Sequence, residues 1–274
     1  MKNKFKSYSK VNTNLEVIDY LEKFKKHKLK SNVVILKLSD EIHIQKSIKK
    51  NILYVDGYSK KKLIIKKDII NKTINFFDKK YLTKTLLSIK IIKFIPIGYG
   101  LGGGSSNASI ILNYLYDLHS ISTSNFDYDS HVIGSDVCLF KDISPKKIDG
   151  IISFKYNIKP TYSWNKIYLI LPSKKNSTKK IFSLYKNTKK NNNLSSNNMS
   201  KNDLLASAMN YNKEMKEIIL FLNKNHKLFL KYGMTGSGSG VFIIFGAKPY
   251  NRSFFNQFRT LFPLASIEKS EYFS

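Results

Sequence analysis

The chain has 274 residues, a 42% hydrophobic content, and 47 basic against 19 acidic residues, which gives a net charge of +28. This length and content suit a folded protein with a sizeable core, which we expect to form two lobes. Its apolar runs are far shorter than the roughly 20 residues of a membrane span, and the amino terminus leads into no apolar signal segment. Cys138 is the only cysteine, which excludes an internal disulfide and fits a cytoplasmic protein.

The positive charge does not by itself indicate nucleic-acid binding. Lysines are spread along the whole chain and accompany heavy use of asparagine and isoleucine, a compositional habit typical of an AT-rich genome. No aromatic-interleaved basic motif supports RNA recognition. We therefore expect no nucleic acid and no membrane as a main partner, although a positive field raises encounter rates with anionic substrates.

Hydrophobic periodicity and turn residues predict a mixture of strands and helices. In the first half we expect strands at 33–38 and 41–45 around a turn at Ser39-Asp40, a strand at 62–66, a helix at 68–78, a strand at 86–95, a glycine loop, a helix ending near His119, and irregular chain at 120–130. In the second half we expect strands at 151–154, 166–171, 241–245 and 266–268, helices at 214–222 and 254–261, and a surface loop at 186–201. This order predicts an α+β protein, and a composition shift at 142–150 predicts domains 1–148 and 149–274.

The glycine-rich stretch that follows the strand at 86–95 carries the most information about function. It holds five of the 13 glycines, and apolar residues at helical spacing follow it. Such a loop approaches a ligand closely with its backbone, and the helix N-terminus adds free N–H groups, so the stretch predicts a phosphate-binding loop. The candidate residues are Pro96, Gly98, Gly100, Leu101, Gly102, Gly103, Gly104, Ser105 and Ser106.

Three known types of phosphate-binding or nucleotide-binding glycine loop fit this stretch poorly. A Walker A loop needs a lysine directly before the serine, where this chain has Gly104. The dinucleotide fingerprint is met only in part, because Pro96 intervenes and Asp117 is a loose match to the acid that binds the ribose. Protein kinases require HRD and DFG tripeptides, and neither occurs in this chain.

The loop resembles the Pro-x-Gly-x-Gly-Leu-Gly-Gly-Gly-Ser-Ser loop of the GHMP family of small-molecule kinases. Further segments at 9–15, 133–137, 202–204 and 234–238 resemble, in the same order, the branch of that family whose acceptor is a cytidine-diphosphate-linked methylerythritol. The resemblance implies a two-lobed α+β fold, with a ribosomal-protein-S5-like N-terminal lobe and a ferredoxin-like C-terminal lobe. It also implies ATP-dependent phosphorylation of a hydroxyl in the non-mevalonate isoprenoid pathway.

The resemblance further implies roles for single residues. Asp136 is the expected catalytic carboxylate, which orients the acceptor hydroxyl, and Lys10 is its expected partner. Ser105 and Ser106 are expected at phosphate or Mg²⁺, with capping of the helix as the alternative. No other carboxylate is a convincing metal ligand, so we expect no protein metal site and Mg²⁺ carried by ATP. On the acceptor side the expected residues are Asn12, His27, Thr178, Phe182, Gly236, Ser237 and Gly238.

Some positions depart from the family pattern. Lys26 stands where the family has a tyrosine that stacks on cytosine, and Tyr99 stands where a small residue is usual in the loop. Asp68 replaces an asparagine near the adenosine, and Ser239-Gly240 replace Ala-Thr. Two alternatives stay open, another GHMP kinase with a different small alcohol and a non-catalytic descendant that binds nucleotide or RNA. Monomer and homodimer are both compatible with the sequence.

Overall fold

The computed structural model describes residues 2–22, 26–66, 68–150, 154–156, 166–185, 197–245 and 251–273. The chain forms two compact units that alternate along the sequence. Unit 1 holds Met1–Ser9, Lys37–Ile97 and Gly102–Ile143, and unit 2 holds Lys10–Leu36, Gly98–Leu101 and Ser144–Ser274. The domain division at 148/149 stays a prediction. The two units are defined by the compactness of the fold, and the chain passes from one unit to the other more than once.

The strands are β1 (Lys2–Asn12), β2 (Glu16–Leu21), β3 (Lys26–Lys46), β4 (Asn51–Asp56), β5 (Lys62–Leu63), β6 (Leu87–Lys93), β7 (Lys146–Gly150), β8 (Phe154–Tyr156), β9 (Lys166–Leu171), β10 (Phe229–Met234), β11 (Val241–Phe245) and β12 (Ser266–Glu271). The helices are α1 (Ile69–Tyr81), α2 (Gly103–Leu118), α3 (Phe126–Ile133), α4 (Thr178–Tyr185), α5 (Leu205–Tyr211), α6 (Lys213–Lys224) and α7 (Arg252–Leu261). Within the described residues, none of the helices is long and apolar enough to cross a bilayer.

Unit 1 is built on β4, β6 and the second part of β3. β4 and β6 run parallel, and β6 pairs antiparallel with residues 41–46 of β3. Alternate residues of β6 are buried, which is the pattern of a strand with one face in the core. α1 begins where the Asp68 carboxylate accepts from the N–H groups of Ile70 and Asn71. The apolar side chains of these strands and of α1 to α3 form one hydrophobic core.

Unit 2 contains a four-stranded antiparallel sheet in the order β10-β11-β9-β12. The predicted strands at 166–171 and 241–245 are confirmed, and the helices predicted at 214–222 and 254–261 are confirmed within longer helices. The first part of β3 pairs with β2 and β7, both antiparallel. Of the remaining predicted elements, residues 151–153 and 186–196 lie outside the described residues.

The predicted turn at Ser39-Asp40 is wrong. β3 runs unbroken from Lys26 to Lys46, and the side chain of Asp40 is fully buried. Its carboxylate accepts hydrogen bonds from the backbone N–H groups of Phe94 and Ile95, both at 2.8 Å. A Ser-Asp pair favours a turn when only its neighbours are considered, whereas here the aspartate is satisfied by a distant segment.

The irregular chain predicted at 120–130 is wrong in part, because α3 begins at Phe126. The buried Asp129 of α3 accepts from the hydroxyls of Tyr81 in α1, at 2.7 Å, and Tyr116 in α2, at 2.6 Å. The segment looks polar in the sequence although one of its polar residues, Asp129, is buried and hydrogen-bonded in the core. The strand predicted at 62–66 is also shorter, and covers only Lys62–Leu63.

Candidate active site

The glycine loop is anchored where it leaves β6. Asp40 forms a buried ion pair with Lys93. Its carboxylate also accepts hydrogen bonds from the backbone N–H groups of the two residues after Lys93, Phe94 and Ile95. Because a buried carboxylate is stable only with such partners, this arrangement fixes the exit of the strand ahead of Pro96. Sequence reasoning missed this anchor, since Asp40 was assigned to a turn.

The second part of the loop, from Gly102, starts helix α2. Gly102 has φ 73°, a left-handed conformation, and Gly103 is the first helical residue. No side chain caps the helix at Gly102, so the first N–H groups of α2 are candidate donors for a ligand. Ser106 is buried and its hydroxyl accepts from the Ser7 hydroxyl at 2.7 Å, whereas Ser105 is partly exposed. Of the two serines, Ser105 therefore has the more accessible hydroxyl.

The first part of the loop, Gly98–Leu101, packs within unit 2 against the second glycine cluster at 233–240. A Cβ placed on Gly100 would lie 3.0 Å from the carbonyl oxygen of Thr235, and one on Gly240 would lie 2.6 Å from that of Tyr99. Leu101 accepts a hydrogen bond from the backbone of Lys10 at 2.9 Å. The two glycine clusters of the sequence thus meet through backbone contacts that leave no space for side chains.

Lys10 and Asn12 lie beside these clusters at the end of β1. Each is only 4% exposed, and the Lys10 ammonium donates to the side-chain oxygen of Asn12. The Asn12 backbone N–H donates to the Thr235 hydroxyl at 2.9 Å, and its side-chain amide donates to Ser31 at 2.7 Å. A buried ammonium held by a neutral amide presents positive charge close to Gly236, whose Cβ position would be 3.8 Å from Lys10 Nζ.

The turn at Gly236-Ser237-Gly238 is supported by residues that the predicted site did not include. The Asn202 amide donates to the carbonyl oxygens of Met234, at 3.0 Å, and Gly236, at 2.9 Å. The hydroxyls of Ser237 and Thr178 lie 2.8 Å apart, so these two predicted residues are in contact. The segment at 202–204, which resembles the family pattern, was the available signal for Asn202, whose amide holds this turn.

His27 and Phe182 also come together in unit 2. Their rings stack at a centroid distance of 4.7 Å with an interplanar angle of 18°. Tyr20 contacts the His27 ring as well, at 4.9 Å. Residues 23–25 and the side chain of Lys26 lie outside the described residues, so the substitution at Lys26 has no structural account.

Asp136 belongs to unit 1, where it precedes a buried 3₁₀ turn, Val137–Phe140. The end of α3 just before it is fastened by Lys72, whose ammonium donates to the carbonyl oxygens of Val132 and Ile133. Burial, with a smaller contribution from the Asp136 charge, raises the pKa of the Cys138 thiol to about 12. Because Lys10 lies in the other unit, its pairing with Asp136 stays a prediction.

The described residues contain no group of three or more His, Cys, Asp or Glu side chains arranged to hold a metal ion. Asp68 stands where the family pattern has an asparagine near the adenosine, and its side chain forms hydrogen bonds within unit 1. Its carboxylate caps α1 and accepts from the Tyr54 hydroxyl at 2.5 Å.

Residues 68–130 match the family described as GHMP kinases N terminal domain. A curated protein from Pelagibacter ubique is named 4-diphosphocytidyl-2-C-methyl-D-erythritol kinase. It is 32% identical to this chain over an alignment of 282 residues that covers 94% of this chain and 95% of that protein. A protein of the same name from Ehrlichia canis is 29% identical, covering 80% of this chain and 81% of its own.

Solved structures share the fold. A crystal structure of 4-(cytidine 5'-diphospho)-2C-methyl-D-erythritol kinase matches with a TM-score of 0.73 at 17% identity, over 99% of this chain and 100% of that one. The Methanococcus jannaschii mevalonate kinase matches with a TM-score of 0.65 at 13% identity, over 100% of this chain and 99% of its own. These matches confirm the predicted α+β fold of GHMP kinases. With the relative that is 32% identical over nearly its whole length, they establish that this chain belongs to the 4-diphosphocytidyl-2-C-methyl-D-erythritol kinase family of GHMP kinases.

Proposed function

We propose that this chain transfers the γ-phosphoryl group of ATP to the 2-hydroxyl of 4-diphosphocytidyl-2-C-methyl-D-erythritol, a step of the non-mevalonate isoprenoid pathway. The observation that carries the proposal is the match to the Pelagibacter ubique kinase along 94% of the chain. The geometry of unit 2 supports it, because Lys10, Asn12 and the turn at 236–238 converge on the glycine loop. We further propose a cytoplasmic location, which rests on the sequence.

Phosphoryl transfer depends on positioning and on stabilising charge, and the residues divide these tasks. The N–H groups at the start of α2 and in Gly98–Gly104 hold the triphosphate. Asp136 orients the acceptor hydroxyl and accepts its proton, and Lys10 neutralises charge that develops on the phosphoryl oxygens. The transfer is direct, with no covalent enzyme intermediate.

Mg²⁺ shields the triphosphate charge in this reaction when it is bound. We assign the ion to the triphosphate itself, because phosphate oxygens are the hard ligands that Mg²⁺ prefers. The partly exposed Ser105 hydroxyl at the start of α2 is the protein group we assign to that ion or to a phosphate oxygen.

The acceptor's cytosine is assigned to Phe182 and His27. A base stacked on an aromatic ring gains roughly 1–3 kcal/mol. Because the two rings now lie against each other at 4.7 Å, the base enters beside this pair or displaces His27 from Phe182. Thr178 and Ser237, which are in hydroxyl contact, are assigned to the acceptor phosphates.

A phosphate-transfer assay tests the proposal. The purified protein is given ATP and, separately, the diphosphocytidyl substrate, mevalonate, homoserine or galactose. We expect turnover with the diphosphocytidyl compound alone, and its loss in Asp136→Asn. Turnover with another alcohol would assign the chain to a different GHMP activity, and ATP binding without any transfer would support a non-catalytic descendant.

A further inference from the structure

Tyr99 is a bulky residue inside the glycine loop, and both its hydroxyl group and its backbone carbonyl group lie against neighbouring segments. Its hydroxyl donates to the carbonyl oxygen of Pro172 at 2.9 Å, and its own carbonyl oxygen lies 2.6 Å from the position of a Cβ on Gly240. Burial, with a smaller contribution from the Glu214 charge, raises the pKa of the Tyr99 hydroxyl, which therefore stays a donor at neutral pH. The ring holds one orientation between the loop and the segment after β9.

Lys175, in that same segment, lies over the Tyr99 ring. Its ammonium is 5.4 Å from the ring centroid, within the range of a cation–π interaction. Its stem covers Gly98, where a Cβ would lie 3.0 Å from the Lys175 Cδ and where φ is +89°. The side chain is therefore held against the loop although its head is exposed.

The neighbouring Lys174 provides a contrast. It is also exposed, and it lines a cavity of about 530 Å³ together with Glu214, Glu217 and Leu264. Its backbone is fixed by Glu214 and Asn212. The two adjacent lysines therefore contact different parts of the surface. Lys174 lines the cavity, and Lys175 lies against the glycine loop.

We propose that Lys175 is a phosphate-binding residue of this kinase and that Tyr99 is the positioning residue that holds its ammonium at the loop. The inference deepens the proposed function and rests on it. An ammonium is a compact point charge that suits a phosphoryl oxygen. Because the side chain contacts Gly98 and Tyr99 of the ATP loop, we assign it to the triphosphate. The acceptor's diphosphate is the other source of the same chemistry, and separate KM values distinguish the two.

The test compares Lys175→Ala with Lys174→Ala as the matched control, and with Lys175→Arg. We expect Lys175→Ala to raise the KM for ATP about five- to tenfold, equivalent to roughly 1–1.4 kcal/mol, with kcat within about twofold. Lys174→Ala should leave the KM near the wild-type value, and arginine should restore most of the loss. A rise in the acceptor KM in place of the ATP KM would confirm phosphate binding and move Lys175 to the acceptor's diphosphate.

The role of Tyr99 needs variants that separate its ring from its hydroxyl. Tyr99→Phe keeps the ring face but loses the hydroxyl bond to Pro172 that orients the ring, so its KM for ATP should rise less than that of Tyr99→Ala. Tyr99→Ala should match Lys175→Ala, and the double variant should be no worse than either alone. Thermal unfolding identifies any variant that fails to fold, and Tyr99→Phe, which removes one hydroxyl, keeps the test valid in that case.

Titration with a non-hydrolysable ATP analogue separates this inference from the proposed function. If the wild type binds the analogue but phosphorylates no diphosphocytidyl compound, the function fails while weaker binding by Lys175→Ala still supports Lys175. Unchanged KM values and unchanged analogue affinity in Lys175→Ala would overturn the inference. An equal effect of Lys174→Ala would also overturn it, because the effect would then be one of general surface charge.

Discussion

Two regions of unit 2 are built in different ways, although both are assigned to the same reaction. The phosphate end, which we define as Lys10, Asn12, Gly98–Leu101 and 235–240, is held by buried hydrogen bonds and by backbone contacts that exclude side chains. The base end, defined as His27 and Phe182, consists of two half-buried rings in mutual contact. Phosphate is recognised by main-chain geometry, which few residue types allow, whereas a base is recognised by any suitable aromatic surface.

Departures from the family pattern occur at both ends, at Tyr99 and Ser239-Gly240 in the phosphate end and at Lys26 in the base end. The glycines are kept at the phosphate end, because replacing one would displace backbone. At the base end, Lys26 stands where the resemblance places a tyrosine. Variants at each end, and at the carboxylate assigned to the chemistry, measure how unequal the two ends are.

The largest effect is expected at Asp136. Asp136→Asn should lower turnover by about 10²-fold or more, the scale of losing a positioned acid–base group, with little change in ATP affinity or thermal stability. Steady-state kinetics and calorimetric titration measure the two quantities. Asp127→Asn is the control, because Asp127 is an exposed carboxylate of the same unit that pairs with Lys141 at 3.2 Å. Near-normal turnover in Asp136→Asn would remove its catalytic assignment.

The phosphate end should tolerate almost no added volume. Gly100→Ala places a Cβ 3.0 Å from the Thr235 carbonyl oxygen at φ +76°, a conformation that costs other residues roughly 1–2 kcal/mol. We expect the affinity for an ATP analogue to fall at least about tenfold and the melting temperature to drop. Gly104→Ala serves as the stability control, since its Cβ would meet only Ile69 at 3.8 Å. Equal stability of the two variants would show that the loop does not depend on the contact at Gly100.

The base end should show a smaller and more selective effect. Phe182→Ala should raise the KM for the diphosphocytidyl acceptor by up to about tenfold per 1.4 kcal/mol of stacking lost, with the KM for ATP unchanged. Lys26→Tyr should lower the acceptor KM. Ser183→Ala on the same helix is the control, because its exposed hydroxyl donates only to the Lys180 carbonyl oxygen among the described contacts. An unchanged acceptor KM in Phe182→Ala would contradict the cytosine assignment while leaving the kinase assignment standing.

The smallest effect concerns Cys138, which reports on the rigidity of the chain around Asp136. With its pKa raised to about 12 by burial, only about one thiol in 10⁴ is ionised at pH 8, and the thiolate is the reactive form. We expect iodoacetamide to modify the native protein very slowly at pH 8, faster as the pH rises, and readily in urea. Mass spectrometry measures the modified fraction. Rapid labelling of the native protein would mean that the 3₁₀ turn at Val137–Phe140 opens in solution.

Sequence patterns predicted the fold class and most regular elements correctly, whereas phosphate binding by the glycine loop stays a prediction. Local sequence patterns were sufficient for β9 and β11, which are short continuous apolar runs buried on both faces. They were also sufficient for α1, α2, α6 and α7, because each of these helices buries one face that repeats along the chain. The glycine loop was recognisable because a backbone that turns through left-handed conformations and approaches a neighbour closely needs that many small residues in succession. These features depend on neighbours in sequence, so the sequence determined them by itself.

The tertiary structure decided what depends on distant partners. It showed that Asp40 anchors the chain ahead of the glycine loop, that Asp129 draws α3 into the core, and that Asn202 holds the turn at Gly236. It also set Lys175, one of many lysines in this chain, against the loop by way of the Tyr99 ring. A polar residue that bonds across the fold carries no local periodicity, and its sequence neighbours suggest a turn or a surface until its partner is known.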